Sequence, residues 1–326
     1  MGSLRTLKVV FDRSGNYPDC LVSWLKLERY SDSSEEAVLF YGYSTFDNDT
    51  LLEGYASCKK KFYLDLHSPC GLYDSDAERE RHLRLGQRFD KVFTICPYTA
   101  EYFNKYFGND KYVPVMFPYN EDYGVSGSPE KEVDLLYWGG VTSPTHAHML
   151  KTCAHEGHTY NYFRLSDAGH RAPLDTDGKD LSTGVDVPRQ QLWETLRKTK
   201  IMLVSNVLHL SEKEALSANS LPDKHNNAAF SELDKYLLPQ IKTRPIEAAM
   251  NKTLILCKRD PWSVLDHWFT PGEDFVYYDT NEELPNKVSE ILNNWEDYQP
   301  MIESAYTKAK KYYTSEKLIQ KMKEFC

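Results

Sequence analysis

The chain of 326 residues contains no apolar run that approaches the roughly 20 residues of a membrane-spanning helix. Its opening residues lead directly into a strand-like segment without an apolar leader core, so a cytoplasmic protein is expected. The 7 cysteines form an odd set with no C-x-x-C pair, which points to reduced thiols and away from a zinc site. Net positive charge is also lacking. At −9, the balance argues against a broad duplex nucleic-acid footprint, which needs a cationic face. A P-loop, a serine elbow and an H-E-x-x-H pair are absent, which lowers the case for ATPase, hydrolase and metalloprotease chemistry. D-x-D occurs at Asp47-Asn-Asp49, Asp74-Ser-Asp76 and Asp175-Thr-Asp177, never directly after an apolar strand, so no metal is expected. No repeat of fixed period is evident.

What remains is a globular composition, 41% hydrophobic and 27% charged, with 23 tyrosines. The most informative stretch is Gln240 to Lys258. Thr243 is a candidate N-cap, Pro245 fits a first helical turn, and Ile246 to Met250 form a short helical body. Asn251 suits a left-handed exit. Thr253 to Cys257 is an unbroken apolar run of the kind a strand covered on both faces requires. Arg244 and Glu247 share the first turn. The free N–H groups there and Arg244 suit a phosphate, and Glu247 could accept from two ribose hydroxyls. The competing reading is an ordinary amphipathic helix with a surface ion pair.

Along the first half, strands are expected at Leu7–Phe11, Ala37–Tyr41, Lys61–His67, Lys91–Cys96 and Tyr112–Phe117. Helices are expected at Ser75–Phe89 and Thr99–Phe107, the latter ended by Gly108. Alternation of this kind makes a parallel sheet, whose ligands lie beyond the carboxyl ends of its strands. That rule selects the loop with Asp12 and Gly15, the pair Asp65 and His67, and Tyr98. Pro118 to Lys131 reads as a linker. The second half offers strands at Val133–Trp138, Tyr160–Arg164, Lys200–Ser205 and Asp274–Tyr278, with Asn206 next after the third. Helices are expected at His146–Ala154, Arg189–Lys198, Ala228–Leu238, Glu282–Trp295 and Tyr298–Glu324. Gly139-Gly140-Val141 after the first of these strands is a phosphate-receptive corner.

From Val133 to about Tyr313 the chain resembles the nucleotide-sugar-binding domain of GT-B glycosyltransferases. The carrying residues are Leu238-Pro-Gln-Ile-Lys-Thr-Arg-Pro-Ile-Glu-Ala-Ala-Met with the buried strand after it, then Phe269-Thr-Pro-Gly-Glu-Asp-Phe-Val-Tyr-Tyr278 and Asn281-Glu-Glu-Leu284. The pattern is similar to the spore-maturation-type branch and, more remotely, to phage DNA glucosyltransferases. The resemblance implies an α/β protein of two Rossmann-like domains facing each other across a cleft. The acceptor domain is expected at 1–120, a linker at 121–132, the donor domain at 133–305, and a helix at 306–326 crossing back to the acceptor domain.

It also implies roles. Glu247 would bind the donor ribose, with Arg244, Lys242 and Thr243 beside the phosphates. Gly139, Gly140 and Val141 would neighbour the pyrophosphate, Val187 and Pro188 the base, with Ser205 and Asn206 on the same donor side. Asp65 and His67 are the catalytic candidates, and Asp12, Gly15 and Tyr98 the acceptor-side ones. Pro239 stands where many retaining members carry a second Glu, so the stereochemistry stays open. The implied reaction is metal-independent transfer from a UDP- or GDP-sugar to a hydroxyl of a saccharide, lipid-linked or protein-linked acceptor, with no cofactor required. The alternatives are a non-catalytic nucleotide-sugar or glycan binder and a DNA-base glucosyltransferase.

Overall fold

The structure is a computed structural model that describes residues 6–11, 23–32, 36–42, 49–66, 76–140, 149–151, 157–164, 180–209 and 237–326. Among them, residues up to Asp122 together with Lys311–Cys326 form one compact unit, and those from Tyr123 to Lys310 form another.

The first unit is built on five parallel strands in sequential order: β1 (Lys8–Phe11), β2 (Ala37–Tyr41), β3 (Lys60–Asp65), β4 (Lys91–Thr94) and β5 (Tyr112–Pro114). All of β2 is buried, as expected of an inner parallel strand. Its helices are α1 (Asp49–Glu53), α2 (Asp76–Arg88) and α3 (Pro97–Phe107). Gly108 ends α3 in the left-handed conformation, φ 65°. Aromatic rings fill the core: Phe103 stacks on Tyr112 at 5.0 Å and on His82 at 5.2 Å between ring centres.

The second unit has a six-stranded parallel sheet in the order β13-β12-β9-β6-β7-β8. These strands are β6 (Val133–Trp138), β7 (Tyr160–Arg164), β8 (Gly184–Val185), β9 (Thr199–Ser205), β12 (Leu254–Lys258) and β13 (Val276–Tyr278). Leu135, Tyr137, Ile201, Leu203, Leu254 and Leu256 line one face with Leu284, Val288 and Ile291 of a covering helix. The alternate residues Leu136, Met202, Val204 and Ile255 are buried as well. Both faces are therefore covered, and the continuous apolar runs follow from that. The helices are α4 (Arg189–Arg197), α5 (Arg244–Met250), α6 (Leu284–Asn293) and α7 (Gln299–Tyr312).

Five expectations need correction. Of the helix expected over Ala228–Leu238 only Leu237 and Leu238 are described, and they lie in a strand: β10 (Val207–His209) pairs antiparallel with β11 (Leu237–Pro239). The single helix expected from Tyr298 to Glu324 is two. Thr314 caps α8 (Ser315–Lys323) by accepting from the Lys317 N–H at 3.3 Å, and α8 belongs to the first unit. Thr243 is helical itself and makes no side-chain cap, and Asn251 is not left-handed; Lys252 is, with φ 51°. The segment read as a linker is partly core, since Tyr119 and Asn120 are fully buried and the Asn120 amide donates to the Trp24 carbonyl at 2.7 Å.

Candidate active site

Helix α5 runs back from the carboxyl edge of the sheet, so its first turn meets the end of β6. All seven of its residues are buried, which rules out the amphipathic surface helix. Arg244 and Glu247 do not pair with each other on the surface. Arg244 donates from Nε to the Trp138 carbonyl at 2.5 Å and lies over the Tyr137 ring at 4.7 Å. Its Nη1 is buried and has no hydrogen-bond partner among the described residues. Glu247 is fully buried; its Oε2 accepts from the Trp138 indole N–H at 2.8 Å and its Oε1 from Arg189 Nη1 at 2.9 Å, with a Thr243 hydrogen bond besides. Burial pushes the Glu247 carboxyl above its ordinary range. The Arg189 charge, the Trp138 hydrogen bond, the Arg244 charge and a Thr243 hydrogen bond oppose that shift.

At the Gly-Gly corner, Gly139 contributes space rather than a donor. Gly139 has φ 122°, and a Cβ there would stand 2.2 Å from Arg244 Nη2. Its N–H donates to the Phe163 carbonyl at 3.0 Å, so it is not free for a phosphate. Tyr162 OH reaches the Gly139 carbonyl at 3.5 Å, and Tyr137 OH donates to the Gly140 carbonyl at 3.1 Å. Glycine at 139 is therefore what lets the guanidinium lie flat against the end of β6.

Glu247, Arg244 and Gly139 thus come together, with Thr243 one residue before the helix. Val187 and the exposed Pro188 lead directly into Arg189. Ser205 and Asn206 are buried at the end of β9, and the Asn206 amide contacts Cys257 Sγ at 3.6 Å. Lys242 donates to the Val207 carbonyl at 2.9 Å, at the base of the β10–β11 pair. Val141, His67, Asp12 and Gly15 lie outside the described residues, as do the His146 and His148 side chains. Tyr98 is a half-buried residue of α3 in the first unit.

Asp65 requires a correction as a proposed base. It is 1% exposed, with Arg81 Nη2 at 3.4 Å from Oδ1 and Thr94 Oγ1 at 3.5 Å from Oδ2. An acceptor hydroxyl cannot reach it without displacing that shell. His82 Nε2 lies 3.3 Å from Arg81 Nη2 and 3.8 Å from Asp65. An arginine N–H can only donate, so Nε2 accepts and the ring proton sits on Nδ1. Burial, then the Arg81 charge, hold His82 well below its ordinary pKa, so the ring is neutral and makes no ion pair with Asp65.

Two residues of the cluster, Trp138 and Arg189, were not among those selected from the sequence. The available signals were weak: an indole directly before Gly139-Gly140, and an arginine opening the helix just after Val187-Pro188.

Parallel sheets with interleaved helices in two units make the fold a GT-B type α/β fold, and a carboxylate and two arginines gather at the carboxyl edge of the second sheet. A family model described as glycosyl transferase-like matches residues 161–324, just over half of the chain, and the chain belongs to that family. No curated protein matches it by sequence. Among solved structures, TarM of S. aureus aligns with TM-score 0.55 and 8% identity over 89% of this chain and 55% of its own. HepE from Anabaena, in complex with UDP and glucose, aligns with TM-score 0.57 and 8% identity over 89% of this chain and 77% of its own. Sucrose-phosphate synthase from Thermosynechococcus elongatus gives 0.55 and 10%, over 89% and 72%. The chain thus spans little more than half the length of TarM. At these identities the likeness carries the fold.

Proposed function

We propose that the protein transfers a sugar from a UDP-sugar to a hydroxyl acceptor of saccharide character, with the nucleotide held at the Glu247 corner of the second unit. The observation that carries this reading is the buried Glu247 carboxylate, held by Trp138 and Arg189 beside a buried Arg244 guanidinium atom with no partner among the described residues. A carboxylate has about four acceptor positions, and Trp138, Arg189 and Thr243 do not fill them all, so its oxygens can still accept from the ribose. Arg244 Nη1 is suited to an oxygen of the diphosphate. UDP is favoured over GDP because HepE binds UDP and glucose on the same fold.

In the reaction the bond from the anomeric carbon to the diphosphate oxygen breaks, the acceptor oxygen bonds to that carbon and gives up its proton, and negative charge grows on the departing UDP. Arg244 supplies positive charge there from the chain itself, without calling on a metal. Val187 and Pro188 flank the base, and Ser205, Asn206, Lys242, Thr243, Gly140 and Val141 complete the donor side. His67, two residues past the end of β3, takes the acceptor-side role of facing the sugar or receiving the hydroxyl proton, with Asp12, Gly15 and Tyr98 around the acceptor.

The test is calorimetry with UDP. Glu247→Ala should weaken binding at least about tenfold, roughly the 1.4 kcal/mol of one lost charge-assisted hydrogen bond. Unchanged affinity would remove the site. Release of UDP from a UDP-sugar by the purified protein, weakened in His67→Ala, separates a transferase from a non-catalytic binder.

A further inference from the structure

We infer that Arg189 is the positioning residue for the donor nucleoside, holding the Glu247 carboxylate charged and aimed so that the ribose hydroxyls meet two acceptors. The inference rests on the reading that Glu247 takes the ribose.

Three observations carry it. First, Arg189 Nη1 lies 2.9 Å from Glu247 Oε1, and among the described residues it is the cation in direct contact with that carboxylate. Arg244, on Glu247's own helix, directs its Nε to the Trp138 carbonyl instead. Second, the Arg189 guanidinium lies over the Trp138 ring at 4.6 Å, while that same indole donates to Oε2. The arginine therefore fixes both oxygens, one directly and one by holding the indole in place. Third, Arg189 is the first residue of α4 and directly follows Val187-Pro188. One short stretch of chain thus borders the base and reaches the ribose carboxylate.

The chemistry explains why such a residue is needed. Ribose hydroxyls donate to an ionised carboxylate, which only accepts. A neutral acid turns one oxygen into a competing donor. Glu247 is fully buried, so burial favours the neutral acid. The groups that face it are Arg189 from α4, Trp138 from β6, and Thr243 and Arg244 from its own segment. Arg189 heads the opposition to burial. Its side chain is 22% exposed against 0% for Glu247, so its removal opens the site to water rather than leaving a void.

The experiment is UDP affinity from about pH 6 to about pH 9, with each variant read as a ratio to the unmodified protein, which cancels titration of UDP itself. Arg189→Leu keeps the side-chain bulk and loses the charge. It should bind UDP at least about tenfold more weakly at the acid end and recover as pH rises and Glu247 ionises. Arg189→Lys should restore most of the affinity and flatten the profile. Glu247→Gln should be weak at every pH. An Arg189→Leu ratio that is flat with pH, or tighter binding in that variant, would overturn the role of Arg189. If Glu247→Gln binds UDP as well as the unmodified protein, the donor-site reading fails first. If that variant is weak while Arg189→Leu is flat, only the Arg189 role falls.

Discussion

Each unit buries a carboxylate near the carboxyl edge of its sheet and sets an arginine against it, but the two clusters are finished differently. In the first unit Asp65 and Arg81 are 1% and 7% exposed at the side chain, and the neighbouring imidazole is neutral and stacked in the aromatic core. In the second, Glu247 is just as deep, yet its partner Arg189 is 22% exposed and a second guanidinium keeps a buried Nη1 with no partner among the described residues. A closed pair contributes to shape. A pair with one end at the surface, beside an unfilled donor, is available to a ligand. Sign and depth of charge alone do not separate the two cases; where the cation ends does.

The sharpest way to break this comparison is to delete each carboxylate and follow denaturant unfolding. Asp65→Ala strands Arg81 in the core and should cost about 3–5 kcal/mol. Glu247→Ala should cost clearly less, because Arg189 can turn to water. Equal losses would erase the distinction.

A smaller effect is expected at Gly139. Gly139→Ala places a Cβ against Arg244 at a backbone angle that favours glycine, which should cost about 1–3 kcal/mol and weaken UDP binding together with stability. A variant that lost stability and bound UDP normally would separate Arg244 from the site.

A third test concerns Lys131, a half-buried lysine that, among the described residues, meets oxygen atoms but no carboxylate. Its Nζ donates to the Arg197 carbonyl at 2.9 Å and contacts Asn251 O at 3.4 Å and Thr253 Oγ1 at 3.3 Å. It thereby ties the far ends of α4 and α5, the helices whose first turns form the site. Burial, with the Lys252 charge, lowers its pKa to about 7. Between that value and the unfolded lysine value of about 10.4, the unfolded chain binds the extra proton, so this group's contribution to stability rises with pH across the window. The penalty is complete below the lower value. Lys131→Met should flatten that rise in melting temperature; an unchanged slope would contradict it.

Much of this architecture was legible in the sequence because its signals are local. Thr253 to Cys257 had to be a doubly covered strand, and Gly108 had to end a helix. The β10–β11 pair escaped notice because its two strands are joined across a long polar stretch and have no periodicity of their own. Thr314 was hidden inside what reads as one helical run, although it caps a second helix. At the site, Arg244 and Glu247 were legible from their spacing, but their partners were not. Spacing alone left open that they paired with each other on a surface helix. The fold instead gives Glu247 to Arg189, 58 positions earlier in the chain, and Arg244 to the carbonyl ending β6. Asp65 was misread for the same reason: a carboxylate at a strand end looks catalytic until its neighbours are known.

The most direct test of the central claim is hydrogen–deuterium exchange with and without UDP. Protection should concentrate at the end of β6 around Trp138 and Gly139, at the start of α4 around Arg189, and at the start of α5 around Arg244. Protection confined to other segments, or none on saturation with UDP, would contradict a nucleotide site built on Glu247.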